Sequence, residues 1–485
     1  MAPYFIGIDI GTQGARVVVL GADGQIAAQA ERVFELTADS REEQDPQLWW
    51  QSCQDCLLEI TSQGRGQLFL NAIEAIGVTS TSGTVIPLDE NHQPLHRAIM
   101  YSDKRSADQG AFCSQAAQHA GQAGFTTFNA SCGLSKMLWF LECYPEKIKQ
   151  IHSWIHAADY IVGKLSGCWG ITDYTNAFKS GYDVSKLEWP DYLFASIPLK
   201  RGWMPQVLPS GSVLGSIDPM VAAALGLPEG IKVAVGITDG CASQIASGAV
   251  APGNWNTTIG TTMVIKGVTE NEVLDPQGRI YSHRHPAGYW MPGGASNTGA
   301  DWVTKAFGDK LPHYNKVAEG MIPSGVIAWP LRQYGERFPI LAPKAQGFEP
   351  EGLSPEAQFT ANMEGVAYLE RYAYELISQL SGEKVHAVYT AGGASNSKVW
   401  LKIRSNVLNL PIIKMKEASG AVGAAISAAS KTHFNSLIEA AATLNIKELE
   451  VFPEPELVAQ YDKAYQKFLA ALVNKRYIST TNIYA

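Results

Sequence analysis

Residues 233–264 read VAVGITDGCASQIASGAVAPGNWNTTIGTTMV, and the organisation of the whole chain follows from this stretch. An apolar run stops at Gly236 and opens into Thr238-Asp239-Gly240. A small-residue segment with helical spacing follows from Cys241 to Ala249, and a second apolar run then carries Gly260-Thr261-Thr262. Glycine turns let a ligand approach the backbone closely, and their N–H groups form concavities that suit phosphate oxygens. A carboxylate at a strand end beside such a turn indicates phosphoryl transfer.

The composition limits the class of protein. A chain of 485 residues is too long for one core, so we expect two domains, which we place at 1–247 and 248–485. A net charge of −8 without any basic run argues against a nucleic-acid partner. No apolar run approaches the roughly 20 residues of a membrane span, and no signal-peptide pattern is present. Seven cysteines, an odd number, suit a reducing compartment, so we expect a cytoplasmic protein.

The first strand pattern contains an acid. Residues 4–20 read YFIGIDIGTQGARVVVL, a strand, a turn at 9–14 and a second strand. This is not a Walker A loop, which needs a lysine and a following helix, nor a dinucleotide fingerprint, because a strand follows the glycines. An ordinary hairpin is the alternative. However, Asp9 stands in an apolar strand, where an unpaired carboxylate is costly and commonly serves a purpose such as metal binding.

Three further stretches of the first half carry polar candidates. In 43–46, Asp45 and Pro46 begin a helix, which leaves Glu43 and Gln44 without a capping role. A buried strand ends in hydroxyl-rich residues 79–84, which suit either sugar hydroxyls or turn chemistry. Residues 99–105 carry an acid and bases that suit either polyol recognition or a solvated surface. Cys53 and Cys56 are expected to be buried helix cysteines.

The second half supplies a nucleotide candidate. A strand at 387–390 is followed by glycines and then a helix, an arrangement that invites a nucleotide at the helix N-terminus. Residues 418–430 are nearly all Ala, Gly and Ser, which lets a helix approach its neighbour closely. We interpret 309–358 as a long irregular insertion, and His283 and His285 as surface residues.

The two halves share a plan. Each opens with a strand, a Gly-Thr turn and a strand, and each ends in a small-residue helix. Two such units facing across a cleft would clamp a polyphosphate between their hairpins, with the crossing helices acting as a hinge.

Taken together, these motifs resemble the FGGY carbohydrate kinases. The resemblance rests on Asp9-Ile10-Gly11-Thr12, on Gly236 to Gly240, on Ile259 to Thr262 and on Gly392 to Asn396, and it covers roughly residues 4 to 430. It implies an α/β protein with two actin-like (ribonuclease H-like) ATPase domains facing across a catalytic cleft. Residues 44–50 and 99–105 resemble the pentulose kinase branch of this family.

The resemblance also implies an activity and the residues that perform it. It predicts ATP-dependent transfer of phosphate to a ketopentose, D-xylulose or D-ribulose, with Asp239 as the base and Asp9 as the Mg²⁺ ligand. The implied nucleotide- and phosphate-binding residues are Gly11, Thr12, Gln13, Gly260, Thr261, Thr262, Gly299, Gly392, Gly393 and Asn396. The implied sugar-binding residues are Ser82, Gly83, Asp103, Arg105 and Asp239.

One stretch departs from the pattern. Xylulokinases typically carry Gln-Met-His-Gly where this chain has Ser80-Thr81-Ser82-Gly83, a variant that resembles a smaller subgroup linked to D-ribulose. Two other classes stay open: a non-catalytic sugar sensor derived from a kinase, and an actin-like ATPase without a sugar substrate. The sequence leaves a monomer and a homodimer equally open.

Overall fold

A computed structural model describes residues 2–35, 37, 39–62, 70–122 and 124–479. The chain divides into two compact units, and each is interrupted in sequence. The first unit contains 1–246, 283–289 and 417–446, and the second contains 247–282, 290–416 and 447–485. The segment 417–446, which the sequence-based division assigns to the second domain, packs in the first unit.

The strands of the described residues, in chain order, are β1 (Tyr4–Gly11), β2 (Gly14–Gly21), β3 (Ile26–Val33), β4 (Glu43–Gln44), β5 (Ile73–Ser80), β6 (Val85–Leu88), β7 (Ala98–Ile99), β8 (Ser153–His156), β9 (Ile171–Asp173), β10 (Gln206–Leu208), β11 (Val213–Ser216), β12 (Lys232–Ala234), β13 (Ile237–Thr238), β14 (Asn254–Ile259), β15 (Met263–Gly267), β16 (Tyr281–Arg284), β17 (Trp290–Ser296), β18 (Ala387–Ala391), β19 (Ile412–Met415) and β20 (Lys447–Val451).

The helices of the same residues are α1 (Pro46–Ser62), α2 (Ala107–His119), α3 (Gly133–Cys143), α4 (Ala157–Ser166), α5 (Tyr174–Phe178), α6 (Tyr192–Ala195), α7 (Pro219–Leu225), α8 (Asp239–Ser247), α9 (Asp301–Phe307), α10 (Leu311–Ala318), α11 (Pro355–Ser381), α12 (Lys398–Leu408), α13 (Gly420–Ala429), α14 (Leu437–Leu444) and α15 (Pro455–Asn474). Short 3-10 turns occur at Asp39–Arg41, Pro145–Gln150, Arg201–Trp203, Gly308–Lys310 and Gly393–Asn396.

The main sheet of the first unit has the order β11-β12-β5-β1-β2-β3, with β13 paired to β5. Strands β1 and β2 form the predicted hairpin, in which Gly11 pairs with Gly14 across a two-residue turn. Strand β1 pairs in parallel with β5 on its other side. These central strands read as nearly continuous apolar runs because helices cover both faces of such sheets.

The second unit repeats this topology. Its sheet runs β16-β17-β15-β14-β18-β19-β20. Strand β14 forms an antiparallel hairpin with β15 and pairs in parallel with β18, as β1 does with β2 and β5. The predicted common plan of the two halves is therefore confirmed at the level of strand order and direction.

Helix α13 explains the run of small residues at 418–430. It packs on β1 and β5 of the first unit so closely that a Cβ added at Gly7 would lie 1.8 Å from the carbonyl oxygen of Ala421. Its other side meets α8, where a Cβ at Gly423 would lie 1.9 Å from the carbonyl oxygen of Ala242. The predicted close approach is confirmed, since even an alanine at Gly7 or Gly423 would push these backbones apart.

Two sequence interpretations are wrong. Residues 309–358 are not merely an irregular insertion, because they contain α10 and place Trp329 and Phe338 in the core of the second unit. His283 and His285 are buried rather than on the surface, and His283 lies against the ring of Phe178. The expectation for Cys53 and Cys56 is confirmed, since both are buried on α1. None of the helices in the described part of the chain is long and apolar enough to cross a membrane.

Candidate functional site

The two acids singled out by sequence lie at the ends of two strands, β1 and β13, that pair with opposite sides of β5. Strands β1, β5 and β13 run in parallel, and in their register Asp9 faces Thr79 while Thr238 faces Ser80. Asp239 follows Thr238 directly and begins α8. Ligand-binding groups of open α/β sheets collect at such carboxyl ends. Burial and the nearby Asp239 carboxylate raise the pKa of Asp9 to about 7, against the opposing effect of Arg16.

Hydroxyl groups with free hydrogen-bonding capacity lie at the same sheet edge. The side-chain oxygens of Thr79, Ser80 and Ser82 are buried and bond to no other residue that the structure describes. The hydroxyls of Thr81 and Thr84, in contrast, bond to each other at 2.8 Å. Buried polar groups are nearly always paired, so unpaired hydroxyls beside two carboxylates indicate a place for a polar ligand.

A buried network that sequence reasoning missed holds the strand end before Asp239. The backbone N–H of Thr238 donates to the hydroxyl oxygen of Thr175 at 2.9 Å, and that hydroxyl donates to Asp173 at 2.7 Å. Asp173 also accepts from Ser210 and from both the backbone and the side chain of Asn176. Asp173 is the N-cap of α5, so the available signal in the sequence was an acid just before a helical turn.

Gln44 acts on the turn between β1 and β2. Its side-chain amide donates to the carbonyl oxygen of Thr12 at 2.9 Å, and its oxygen accepts from the indole of Trp49 at 2.8 Å. The backbone N–H of Phe34 bonds to the carbonyl oxygen of Gln13 at 2.8 Å from the other side. The residue left without a capping role thus fixes the turn that contains the predicted phosphate contacts Gly11, Thr12 and Gln13.

Asp103 and Arg105 bind each other. The Arg105 guanidinium contacts both carboxylate oxygens of Asp103, the closest at 2.7 Å, and reaches Glu43 at 2.6 Å. Asp103 is 1% exposed, which excludes the solvated-surface reading for it. Beneath it, the buried ammonium of Lys136 donates to the carbonyl oxygens of Asp103 and Ala130, and burial lowers the pKa of Lys136 to about 8.

The loop that carries Asp103 is tied to the Ser82–Gly83 turn. The backbone N–H of Tyr101 donates to the Thr84 hydroxyl at 3.2 Å. Gly83 packs against the carbonyl oxygen of Ser131, where an added Cβ would lie 2.2 Å away. Four of the five predicted sugar contacts, Ser82, Gly83, Asp103 and Arg105, therefore belong to one connected region of the first unit. Of the two charged residues in this region, Arg105 is partly exposed and Asp103 is buried.

The second unit contains a cavity of about 820 Å³ next to the turn between β14 and β15. Its lining combines the apolar residues Ile259, Phe359 and Trp400 with polar residues such as Asn396, and a cavity of this size with apolar walls and placed polar groups is typical of small-molecule sites. Of the predicted nucleotide residues, Gly260, Thr261, Gly393 and Asn396 line it.

Two other predicted nucleotide residues, Gly299 and Gly392, pack against the backbone of this turn and of the strand before it. A Cβ at Gly299 would lie 2.5 Å from the carbonyl oxygen of Thr261, and one at Gly392 would lie 2.5 Å from that of Ile259. Neither Gly299, Gly392 nor Thr262 belongs to the cavity lining. Glycine is required at 299, after β17, and at 392, after β18, because the neighbouring backbone leaves no room for a side chain at either position.

The donor set at the sheet edge fits a single magnesium ion. Among the described residues no group of three or more metal-ligating side chains exists. Mg²⁺ is commonly held by one or two carboxylates, with phosphate oxygens and water completing its shell. Asp9 and Asp239 supply that number, and a cation would offset both effects that raise the pKa of Asp9, which are its burial and the nearby Asp239 carboxylate.

Comparison with known proteins gives consistent matches over the whole chain. The model of the FGGY family of carbohydrate kinases, N-terminal domain, matches residues 4–246, and that of the C-terminal domain matches residues 255–432. The xylulose kinase of Bacillus subtilis (strain 168) is 26% identical over 96% of this chain and 96% of its own length. A gluconokinase of Bacillus licheniformis is 24% identical over 85% of this chain and 84% of its own length. The crystal structure of xylulose kinase from Rhodospirillum rubrum, 24% identical, has a TM-score of 0.85 over 97% of this chain and 98% of its own, which shows a shared fold.

Proposed function

We propose that this chain, which belongs to the FGGY family of carbohydrate kinases, transfers the γ-phosphate of ATP to the terminal hydroxyl of a ketopentose. Family membership, the two-domain fold of that family and phosphorylation of a sugar with ATP follow from the two family-model matches. The identity of the sugar, the roles of individual residues and the use of Mg²⁺ are the proposal.

The observation that carries the residue roles is that Asp9 and Asp239 stand at the ends of the two strands that flank β5, beside unpaired hydroxyls of β5 and the turn after it. In this assignment Asp239 accepts the proton of the sugar hydroxyl as its oxygen attacks the γ-phosphorus and ADP departs. Phosphoryl transfer depends on positioning and charge neutralisation more than on strong base catalysis, so an ordinary carboxylate suffices. Asp9 would hold Mg²⁺, which when bound neutralises phosphate charge.

The nucleotide is assigned to the second unit. Gly260, Thr261 and Thr262 would contact its phosphates through the turn between β14 and β15, with Gly11, Thr12 and Gln13 contacting the transferring group. The cavity that Gly393 and Asn396 line would hold the adenosine, and its aromatic wall at Phe359 and Trp400 suits the face of a purine. Gly299 and Gly392 would act by holding this turn.

The sugar is assigned to the region of Ser82, Gly83, Asp103 and Arg105. Because Asp103 is engaged by Arg105, we assign the direct contact to the guanidinium and give Asp103 the role of orienting it. The relatives named xylulose kinase favour a ketopentose, while Ser80 to Gly83 departs from the xylulokinase pattern, so D-xylulose and D-ribulose are both retained. A cytoplasmic location, a monomeric or homodimeric state and the lack of nucleic-acid or membrane partners stay predictions.

The test is ADP release by the purified protein with Mg-ATP and a panel of D-ribulose, D-xylulose, L-ribulose, L-xylulose, ribitol, gluconate and glycerol. We expect one ketopentose to exceed the others by at least tenfold in kcat/KM. Asp239→Asn should lower kcat by a factor of about 10² to 10⁴, the usual contribution of a general base, with unchanged folding. A flat response with slow sugar-independent hydrolysis would instead favour an actin-like ATPase, and sugar binding without turnover would favour a sensor.

A further inference from the structure

Glu336 is a buried carboxylate, 2% exposed, at the centre of a set of hydrogen bonds in the second unit. Its Oε1 accepts from the backbone N–H groups of Asn297 and Arg337, at 2.7 and 2.9 Å. Its Oε2 accepts from the hydroxyls of Ser296 and Thr298, at 2.7 and 2.9 Å, and from the backbone N–H of Thr298 at 3.3 Å. One side chain therefore fixes three successive residues, 296–298.

The loop held in this way lies directly against the turn at 260–262. The carbonyl oxygen of Thr298 accepts from the backbone N–H of Met263 at 2.9 Å, and the N–H of Ala300 donates to the carbonyl oxygen of Gly260 at 2.8 Å. Gly299, which lies between them in sequence, packs closely against the backbone of Thr261 and Thr262. The 296–300 loop is thus the support on which the turn rests, and Glu336 sets the shape of that loop.

We propose that Glu336 is a positioning residue for nucleotide binding, which acts on the phosphates through the 296–300 loop and the Gly260–Thr262 turn without touching the nucleotide itself. This inference rests on the proposed role of that turn in binding ATP phosphates. It also gives a function to residues 309–358, the segment that sequence reasoning had interpreted as an insertion.

The chemistry explains why a carboxylate stands here. The hydroxyl oxygen of Ser296 already accepts from the N–H of Thr298, and that of Thr298 accepts from the indole of Trp329, so both hydroxyl protons point at Glu336. Every group that bonds to Glu336 is consequently a donor. A carboxylate accepts hydrogen bonds at both of its oxygens, whereas an amide side chain has only one oxygen. Bonds to a charged acceptor are about twice as strong as neutral ones, which makes the loop rigid.

The variant Glu336→Gln preserves size and replaces one acceptor oxygen by an NH₂ group that faces donors. The matched control is Glu364→Gln, since Glu364 is another fully buried glutamate of the second unit. Glu364 accepts from the backbone N–H and hydroxyl of Ser324 and from the hydroxyl of Tyr461, none of which belongs to the loop. Both variants should lower Tm, so a Tm shift by itself does not distinguish positioning from general stabilisation.

The measurement is the Kd for Mg-ATP by calorimetry on the whole protein, together with kcat and both KM values. For Glu336→Gln we expect the Kd and KM for ATP to rise about tenfold, with the KM for sugar and the kcat at saturating ATP within threefold of wild type. For Glu364→Gln we expect no change in the ATP constants. Should Glu336→Gln not fold, Ser296→Ala removes one bond to Glu336 and the acceptor of one Thr298 N–H bond, and it should raise the Kd for ATP at least threefold.

Two outcomes overturn the inference: an unchanged ATP affinity in Glu336→Gln, or in Ser296→Ala where that variant takes its place, and a loss of ATP affinity in Glu364→Gln equal to that in Glu336→Gln. If wild type binds ATP and phosphorylates a sugar while Glu336→Gln binds ATP equally well, only this inference fails. If the wild-type protein itself binds no Mg-ATP, the proposed function fails together with it.

Discussion

Replacing Thr175 by valine tests whether one buried hydroxyl positions the backbone that presents Asp239. Thr175 is fully buried, and valine has nearly the same shape without the oxygen. The change removes the acceptor for the backbone N–H of Thr238 and one of the donors to Asp173. Threonine to serine at the same position keeps the hydroxyl and is the matched control.

The expected magnitude follows from these two bonds. A buried N–H left without a partner costs about 1–3 kcal/mol, and a lost bond to a charged group costs about 1.5–3 kcal/mol. Since Asp173 keeps its bonds to Ser210 and Asn176, we expect a combined loss of about 2–4 kcal/mol in the free energy of unfolding. That loss is smaller than the roughly 5–15 kcal/mol of a typical domain, so the variant should fold.

Thr175→Val should also lower kcat, because Thr175 holds the backbone next to the proposed base Asp239. A displacement of about 1 Å in a reacting group can cost about a hundredfold in rate, so we expect kcat with the preferred sugar to fall by a factor of ten to a hundred. The KM for ATP should be unchanged, because the affected residues lie in the first unit and the proposed nucleotide cavity is built by the second.

The assay is steady-state ADP release at saturating sugar and ATP, with urea unfolding measured in parallel. Wild-type kcat in Thr175→Val would refute the positioning role of this hydroxyl. So would a serine variant that loses as much activity as the valine variant, because the retained hydroxyl would then be irrelevant.

Two further predictions concern the sugar region and a pH-dependent ion pair. Ser80→Ala should leave the urea midpoint unchanged, since this hydroxyl bonds to no described residue, and should raise the KM for sugar about tenfold, the value of one hydrogen bond of about 1.4 kcal/mol; an unchanged KM would remove Ser80 from the sugar site. Burial alone would raise the pKa of Asp275, but hydrogen bonds from Arg279 and from backbone N–H groups hold it below its usual range. The stabilisation by this carboxylate is therefore present above the unfolded pKa of about 4 and is lost as the pH falls below it, so Asp275→Asn should destabilise the protein at pH 7 and the difference from wild type should shrink towards pH 3 in urea titrations. A difference that does not depend on pH would contradict this assignment.

The roles proposed for Gln44 and Glu336 show where sequence reasoning ended. Gln44 could be singled out because the capping of α1 accounted for Asp45 and Pro46 and left it unexplained, yet nothing in its neighbourhood indicated the carbonyl oxygen of Thr12 as its partner. Glu336 had no such signal, because it stands in an aperiodic segment and its donors from residues 296–298 come 38 to 40 positions earlier. Hydrogen bonds between segments so distant in sequence leave no periodic pattern.

The sequence by itself determined the α/β class, the repeated strand-turn-strand plan, the family and the two acids at strand ends. These features are local: strand periodicity, turn glycines and a charge inside an apolar run are each set by residues a few positions apart. Only the tertiary structure decided that the segment 417–446 joins the first unit and that His283 and His285 are buried. It also decided that Asp103 is neutralised by Arg105, and which hydroxyls stay unpaired at the sheet edge. Those properties depend on which segments pack together although they are far apart in sequence. Such packing sets the environment of a side chain, and the residues next to it in sequence carry no record of it.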